Sequence, residues 1–168
     1  MKKIIFALLA LVCVFKANAQ TELPKGPELE YVMELKVTID GAYSVGETTH
    51  GNRFIIPITG GTFEGPKIKG TVIPGGADYQ MIDTAKGLTE LEAIYSIRTE
   101  DGVNIHVRNC GLLYDGPDEN GQRVYYFRTA PKFEAPKDSK YDWMNNAIFV
   151  CVPNPLPEYI SLKVWKVL

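Results

Sequence analysis

The chain has 168 residues, with 18 lysines and arginines against 20 aspartates and glutamates and 11% aromatic residues. That length suits one domain with a substantial core, and the slightly acidic balance argues against nucleic acid or an anionic membrane surface as a partner. Two histidines, and three cysteines without a CxxC pair, argue against a dedicated zinc site.

In chain order, Lys2 and Lys3, the apolar run from Ile4 to Phe15 and the small-residue triplet Ala17-Asn18-Ala19 have the layout of a secretory signal. The expectation is cleavage after Ala19, a solvated leader over 20–27, and a periplasmic or extracellular protein. The apolar run is too short to span a bilayer, for which roughly 20 residues are needed, so no membrane insertion is expected. Val12 stands where a lipidated Cys13 would want a small neighbour, which disfavours a lipoprotein. Cleavage would remove Lys2, Lys3 and Lys16 and leave an excess of five acidic groups. Of the remaining thiols, Cys110 and Cys151, a disulfide is one outcome and two separated, buried thiols the favoured one.

From Leu29 to Ile39 every second residue is apolar (Leu29, Tyr31, Met33, Leu35, Val37, Ile39), the period of a strand with one dry face. Similar runs follow at about 53–59, 68–74, 78–84, 88–99, 103–109, 123–130, 146–152 and 159–167. Turns are read at Asp40-Gly41, Gly75-Gly76, Lys86-Gly87 and Asp101-Gly102, the last being the clearest hairpin. The longer loops are expected at 112–122 and 131–142, with a short helical turn near Tyr141 to Asn146. No segment leaves room for crossover helices. The reading is therefore an all-β, single-domain protein over 28–168: an antiparallel up-and-down β-barrel of about 8–9 strands, lipocalin-like in general architecture, with a β-sandwich as the second choice.

Several familiar devices are absent. Gly60 and Gly65 have the outer spacing of a phosphate loop, but Pro66 takes the lysine position, and no Gly-x-Ser-x-Gly occurs. Three blocks, PITGGTFEGPKIKGTVIPGGADYQ from Pro57, LEAIYSIRTEDGVNIHVRNCG from Leu91 and YYFRTAPKFEAPKDSKYDWMNNAIFV from Tyr125, resemble in sequence and order the signature blocks of the domain of unknown function 3237 family. The resemblance covers 28–168 and implies a small antiparallel barrel with one internal cavity and no settled activity. Asp78, Asn109, Arg128, Glu134, Tyr141, Trp143 and Asn145 fall inside matching blocks; Tyr79 departs from the pattern, where a tryptophan is expected.

The candidate catalytic residues are Glu134, Arg128 and His106. Arg128 sits where a strand meets a loop, and its guanidinium suits a carboxylate or enolate oxygen, or else a structural pairing with Glu134 or Asp78. Glu134 becomes a general base if its aromatic neighbours desolvate it. His106 shares a strand face with Asn104 and Arg108; that face is either solvated or turned to a lumen, where His106 would move protons near neutral pH. Asp78, Asn109, Tyr141, Trp143, Asn145 and Glu64 are the candidate ligand-binding residues, with flat apolar surface beside polar groups. Tyr141, Trp143 and Asn145 are equally suited to plugging one barrel end.

These residues point to an exported barrel for a small-molecule ligand of ring size, needing no cofactor and no metal. One reading is an isomerase, cyclase or lyase acting beside a carbonyl; the alternative is a non-catalytic lipocalin-type binding or carrier protein for an apolar ligand. The two are separated by whether the proton-moving groups share a cavity.

Overall fold

A computed structural model describes residues 24–168; the expected signal, Cys13 and the first residues of the leader lie outside them. Nine strands form one antiparallel sheet: β1 (Leu29–Ile39), β2 (Tyr43–Thr48), β3 (Gly51–Glu64), β4 (Lys69–Asp83), β5 (Leu88–Thr99), β6 (Asn104–Pro117), β7 (Arg123–Glu134), β8 (Phe149–Pro155) and β9 (Ile160–Val167). Because β1 pairs with both β9 and β3, eight strands close into a barrel, and β2 is an added strand on β3. Closure leaves β2 as the edge, blunted by its shortness and by the irregularity at Gly46, which has φ 97°. No helix among the described residues is long and apolar enough to cross a membrane.

The glycine-rich stretch does a different job from the one expected of it. The runs at 68–74 and 78–84 are a single strand, β4, and Gly75-Gly76 is a bulge inside it where the register shifts between Ile73 and Ala77 against β5. Gly75 has φ 109°, a left-handed conformation that favours glycine. Gly76 is needed for close approach instead: a Cβ there would lie 2.4 Å from the Ile94 carbonyl oxygen and 2.5 Å from Tyr95 Cβ. A matching irregularity at Gly60-Gly61 moves the inward face of β3 from even-numbered Ile58 to odd-numbered Phe63. Such bulges bend the strands and so help the sheet to close.

Two other expectations are corrected. The alternation of β1 breaks between Tyr31 and Met33, leaving Leu29 and Tyr31 52% and 40% exposed, with Tyr31 edge-on to Trp165 at 5.9 Å. The loop expected at 112–122 is mostly strand. β6 runs on to Pro117, and only 118–122 turn, fixed by Asp118 Oδ1, which accepts the Asn120 and Gln122 amides at 2.9 and 2.8 Å. Arg123 reinforces this hairpin through two 2.6 Å contacts to Asp115. Leu112 and Leu113 are both apolar, so no polar alternation marked the extension.

The barrel has a filled end and an open end. At the filled end Met33, Ile97, Ile105 and Val107 are completely buried, and Phe133 meets Phe149 edge-to-face at 4.9 Å; full burial of such side chains contributes about 1.5–3 kcal/mol each. The 3-10 turn Asp142–Asn146 caps this end with Met144. The turns at 84–87, 118–122 and 156–159 surround the other end. The wall is thinnest in pairing between β7 and β8, where the ladder is a single pair, Thr129 opposite Cys151. Pro131, Pro153 and Pro155 flank it and have no N–H to donate.

Gly76→Ala is expected to lower stability by about 1–3 kcal/mol through overpacking against Ile94 and Tyr95. Urea denaturation measures this, and an unchanged midpoint would mean that the two strands separate freely at this point. At the plugged end Tyr141 donates to Asp101 Oδ1 at 2.7 Å. This bond, with the Thr99 hydroxyl and the Lys140 ammonium, holds the Asp101 carboxyl far below the usual carboxylate range. The native state therefore gains stability from Asp101 above its unfolded value of about 4 and loses it as pH falls below that. Tyr141→Phe should flatten this acid-side loss, read as melting temperature against pH from neutrality downward.

Candidate functional site

Above the filled end, the open half of the barrel holds a cavity of about 220 Å³. Its walls are mostly aliphatic or aromatic, among them Val37, Ile58, Leu91, Phe127 and Leu162, and its polar members are Asp78, Gln80, Tyr95, Asn109 and Thr129. No lysine, arginine or histidine among the described residues lines it.

Strand parity explains the selection. On β6 the inward series Ile105, Val107 continues through Asn109, which is 4% exposed; on β7 Phe127, Pro131 and Phe133 share their face with Thr129, 7% exposed. Asp78 and Gln80 occupy alternate positions of β4 beyond its bulge. In the ladder Asp78 lies opposite Ala93 and Ala93 opposite Asn109, so the carboxyl and the amide flank the smallest side chain on the intervening strand. Thr129 lies opposite Gly111, and a Cβ at Gly111 would strike Thr129 Cγ2 at 2.4 Å.

The Gln80 amide donates to Asp78 Oδ2 at 2.8 Å. Burial raises the Asp78 carboxyl above the usual range, and the Gln80 bond, with the Glu92 backbone amide nearby but not aligned for a bond, only partly offsets this. Tyr95, 4% exposed, has its phenol pushed far up, first by burial and then by Cys151 and Asp78 nearby, whose ionised forms would repel a phenolate, so it is a neutral donor at any ordinary pH. Burial pushes the Cys151 thiol up to about 11; the Thr129 hydroxyl beside it, without an aligned bond, opposes this slightly. Three buried side-chain oxygens among the described residues have no hydrogen-bond partner: Asp78 Oδ1, Asn109 Oδ1 and Thr129 Oγ1. All three belong to residues that line this one cavity.

The remaining candidates lie elsewhere. With Phe127, Thr129 and Phe133 inside, β7 turns Arg128 and Glu134 outward, and β6 likewise turns His106 outward. His106 faces Glu134 across the ladder on the outer surface, where Lys132 Nζ is 3.8 Å from the glutamate. Arg128 makes neither of its anticipated carboxylate pairings; it donates to the Phe127 carbonyl at 2.7 Å and stacks over Tyr126 at 5.3 Å. The barrel wall thus separates this trio from the cavity. Glu64 is exposed on the outside near the filled end, opposite Glu34 of β1. Tyr141, Trp143 and Asn145 belong to the plug: Trp143 tilts against Phe149 at 6.0 Å, and Asn145 Oδ1 and Nδ2 bond the Ala135 amide and carbonyl at 2.8 and 2.9 Å. Of the sequence candidates, only Asp78 and Asn109 meet at the cavity.

Gln80, Tyr95 and Thr129 were not singled out from sequence. Their signal was parity, each being a polar or half-polar residue in step with an apolar face. The two thiols are separate, Cys110 exposed on the outer face and Cys151 buried inside. Among the described residues no three His, Cys, Asp or Glu side chains are grouped to hold a metal ion.

Comparison with known proteins agrees with this architecture. A UPF0311 protein of Clostridium acetobutylicum is 40% identical over 149 residues, covering 82% of this chain and 92% of its own. The crystal structure of a beta-barrel like protein from Acinetobacter baumannii matches with a TM-score of 0.77 at 30% identity, over 88% of this chain and 99% of that one. More distant is a hydroalkoxylation enzyme of Penicillium herquei, 29% identical over 164 residues and covering 96% of this chain and 98% of its own. A crystal structure of an enzyme from the same fungus has a TM-score of 0.69 at 28% identity, over 87% and 98% of the two chains. The family model described as a protein of unknown function, DUF3237, matches residues 27–167, and the chain belongs to that family.

Proposed function

We propose that the protein is an exported small-molecule enzyme whose cavity carries out cofactor-free proton transfer on a ring-sized, oxygenated molecule, with Asp78 as the proton-moving group. The observation that carries this reading is a desolvated carboxyl on an apolar cavity wall, engaged by Gln80 at one oxygen and unpartnered at the other. Desolvation favours the neutral acid, so Asp78 can give a proton and take it back closer to neutral pH than an exposed aspartate can. Export is supported by the N-terminal sequence alone.

The activity named for the fungal relative supplies a concrete form of this chemistry. In a hydroalkoxylation an O–H adds across a C=C bond. The Asp78 carboxylic acid gives its proton to one alkene carbon, the hydroxyl oxygen bonds to the other, and the proton released from that oxygen returns to Asp78. Atoms and charge balance, and nothing is oxidised or reduced. Tyr95, neutral and buried, is placed to donate a hydrogen bond to a ligand oxygen, and Asn109 to orient the ring. The apolar walls exclude water that would otherwise trap a carbocation-like centre. In this reading His106, Arg128 and Glu134 take no part.

The test uses 2-allylphenol, which cyclises without change of mass, followed by chromatography. Wild-type protein should accelerate the cyclisation, and Asp78→Asn should cut the rate by about 10²–10⁴-fold while still binding the phenol. Binding by both proteins with turnover by neither would identify a carrier. Stability gives an independent check. A carboxyl raised by burial contributes its stability below its unfolded value of about 4 and loses it as pH rises towards the folded value. Asp78→Asn should therefore match wild type near pH 3 and melt higher than wild type at pH 7.

A further inference from the structure

We propose that the cavity selects its ligand through hydroxyl groups: it takes a neutral, ring-sized molecule carrying at least two O–H groups, and it rejects carboxylates. The inference rests on the reading of this cavity as the ligand site. Its basis is the unmet hydrogen-bonding capacity of the wall. Asn109 Oδ1 accepts, Thr129 Oγ1 accepts and also has a proton to give, and Asp78 Oδ1 accepts as a carboxylate or donates as the neutral acid; all three are buried and unpartnered, and leaving them unmet costs free energy that a ligand hydroxyl, which both donates and accepts, would recover.

The arrangement is built into the strands. Asn109 and Thr129 are more than nine-tenths buried. The positions beside them in the ladder are small: Ala93 lies between Asp78 and Asn109, and Gly111 makes room for the Thr129 methyl group, which packs where a Cβ would stand. Asp78 lies two strands from Asn109, and Thr129, on the strand next to Asn109, is offset from it by two residues in register, so separate hydroxyls on the ligand are needed to meet them. The cavity volume of about 220 Å³ holds one aromatic ring and little more.

Charge sets the other half of the selectivity. A carboxylate ligand would enter beside Asp78 with no lysine, arginine or histidine on the lining to balance it. An ammonium ligand would lose its hydration for a single carboxylate oxygen in otherwise apolar surroundings. A hydroxyl avoids both costs and satisfies the same groups.

The experiment titrates the full-length mature protein at pH 7 with four matched probes: resorcinol, 1,3-dimethoxybenzene, benzoate and benzylamine. Calorimetry or ligand-observed NMR gives the affinities. Resorcinol should bind about tenfold or more tighter than its dimethyl ether, equivalent to about 1.4 kcal/mol, and benzoate should not bind. Thr129→Val, which keeps the shape of the side chain, and Asn109→Leu should each shrink the preference for resorcinol without weakening the ether. Equal affinities for diol and ether, tighter binding of benzoate or benzylamine, or no binding of resorcinol at millimolar concentration would each overturn the proposal. None of the probes carries an alkene, so the outcome is independent of turnover. An Asp78→Asn enzyme that loses catalysis while diol and ether bind alike would leave the proton-transfer reading standing and remove this one.

Discussion

Ring closure of the sheet through the β1–β3 ladder is the constraint on which everything else depends. Once eight strands share one enclosed interior, each residue is committed to the inside or the outside by its parity along the strand, and a single extra residue reverses that commitment for everything beyond it. The bulges at Gly60-Gly61 and Gly75-Gly76 are therefore part of the site. They bend the strands while delivering Ile58, Asp78 and Gln80 to the interior. The filled half supplies the cohesion, through Met33, Ile97, Phe133 and Phe149, and the other half is left free to hold a cavity.

That division explains why polar groups survive inside. Asp78, Asn109 and Thr129 lie on three different strands, each inserted into an otherwise apolar inward series. A design for stability alone would replace them with hydrophobic residues, because an unpartnered buried oxygen is a net penalty. Their position beside small neighbours, Ala93 and Gly111, is the pattern that the proposed ligand site would need, since at such a site some folding stability is exchanged for recognition. Gln80 adds orientation by holding one oxygen of Asp78.

Much of the scaffold was legible in the sequence. Alternation located most of the strands, and Asp101-Gly102 marked its hairpin. The shortfall came where alternation loses its contrast: Leu112-Leu113 hid the extension of β6, and Pro74-Gly75-Gly76 looked like a turn although it is a bulge. On the cavity lining, Asp78 and Asn109 stood out in the family blocks as polar residues, whereas Thr129 and Tyr95, which lie in the same blocks, did not because nothing in their types distinguishes them from core residues. Arg128 and Glu134 drew attention through the same family blocks and through their chemical type, and His106 through chemical type. Side-chain chemistry says what a residue can do, whereas parity decides what it can touch, and on β6 and β7 parity places all three outside.

The seam between β7 and β8 has a mechanical meaning. Along most of the wall, parting two strands would break a long ladder of backbone bonds, but here only the Thr129–Cys151 pair joins them, and the prolines nearby cannot extend it. Local opening costs least where the fewest backbone bonds are lost, and Phe127, Thr129, Pro153 and Pro155, which border the seam, also line the cavity. The interior is thus bounded unevenly: between β7 and β8 the wall has the fewest backbone bonds to lose, while the plugged end is held by its packed core. The barrel combines a firm floor with one loosely laced flank.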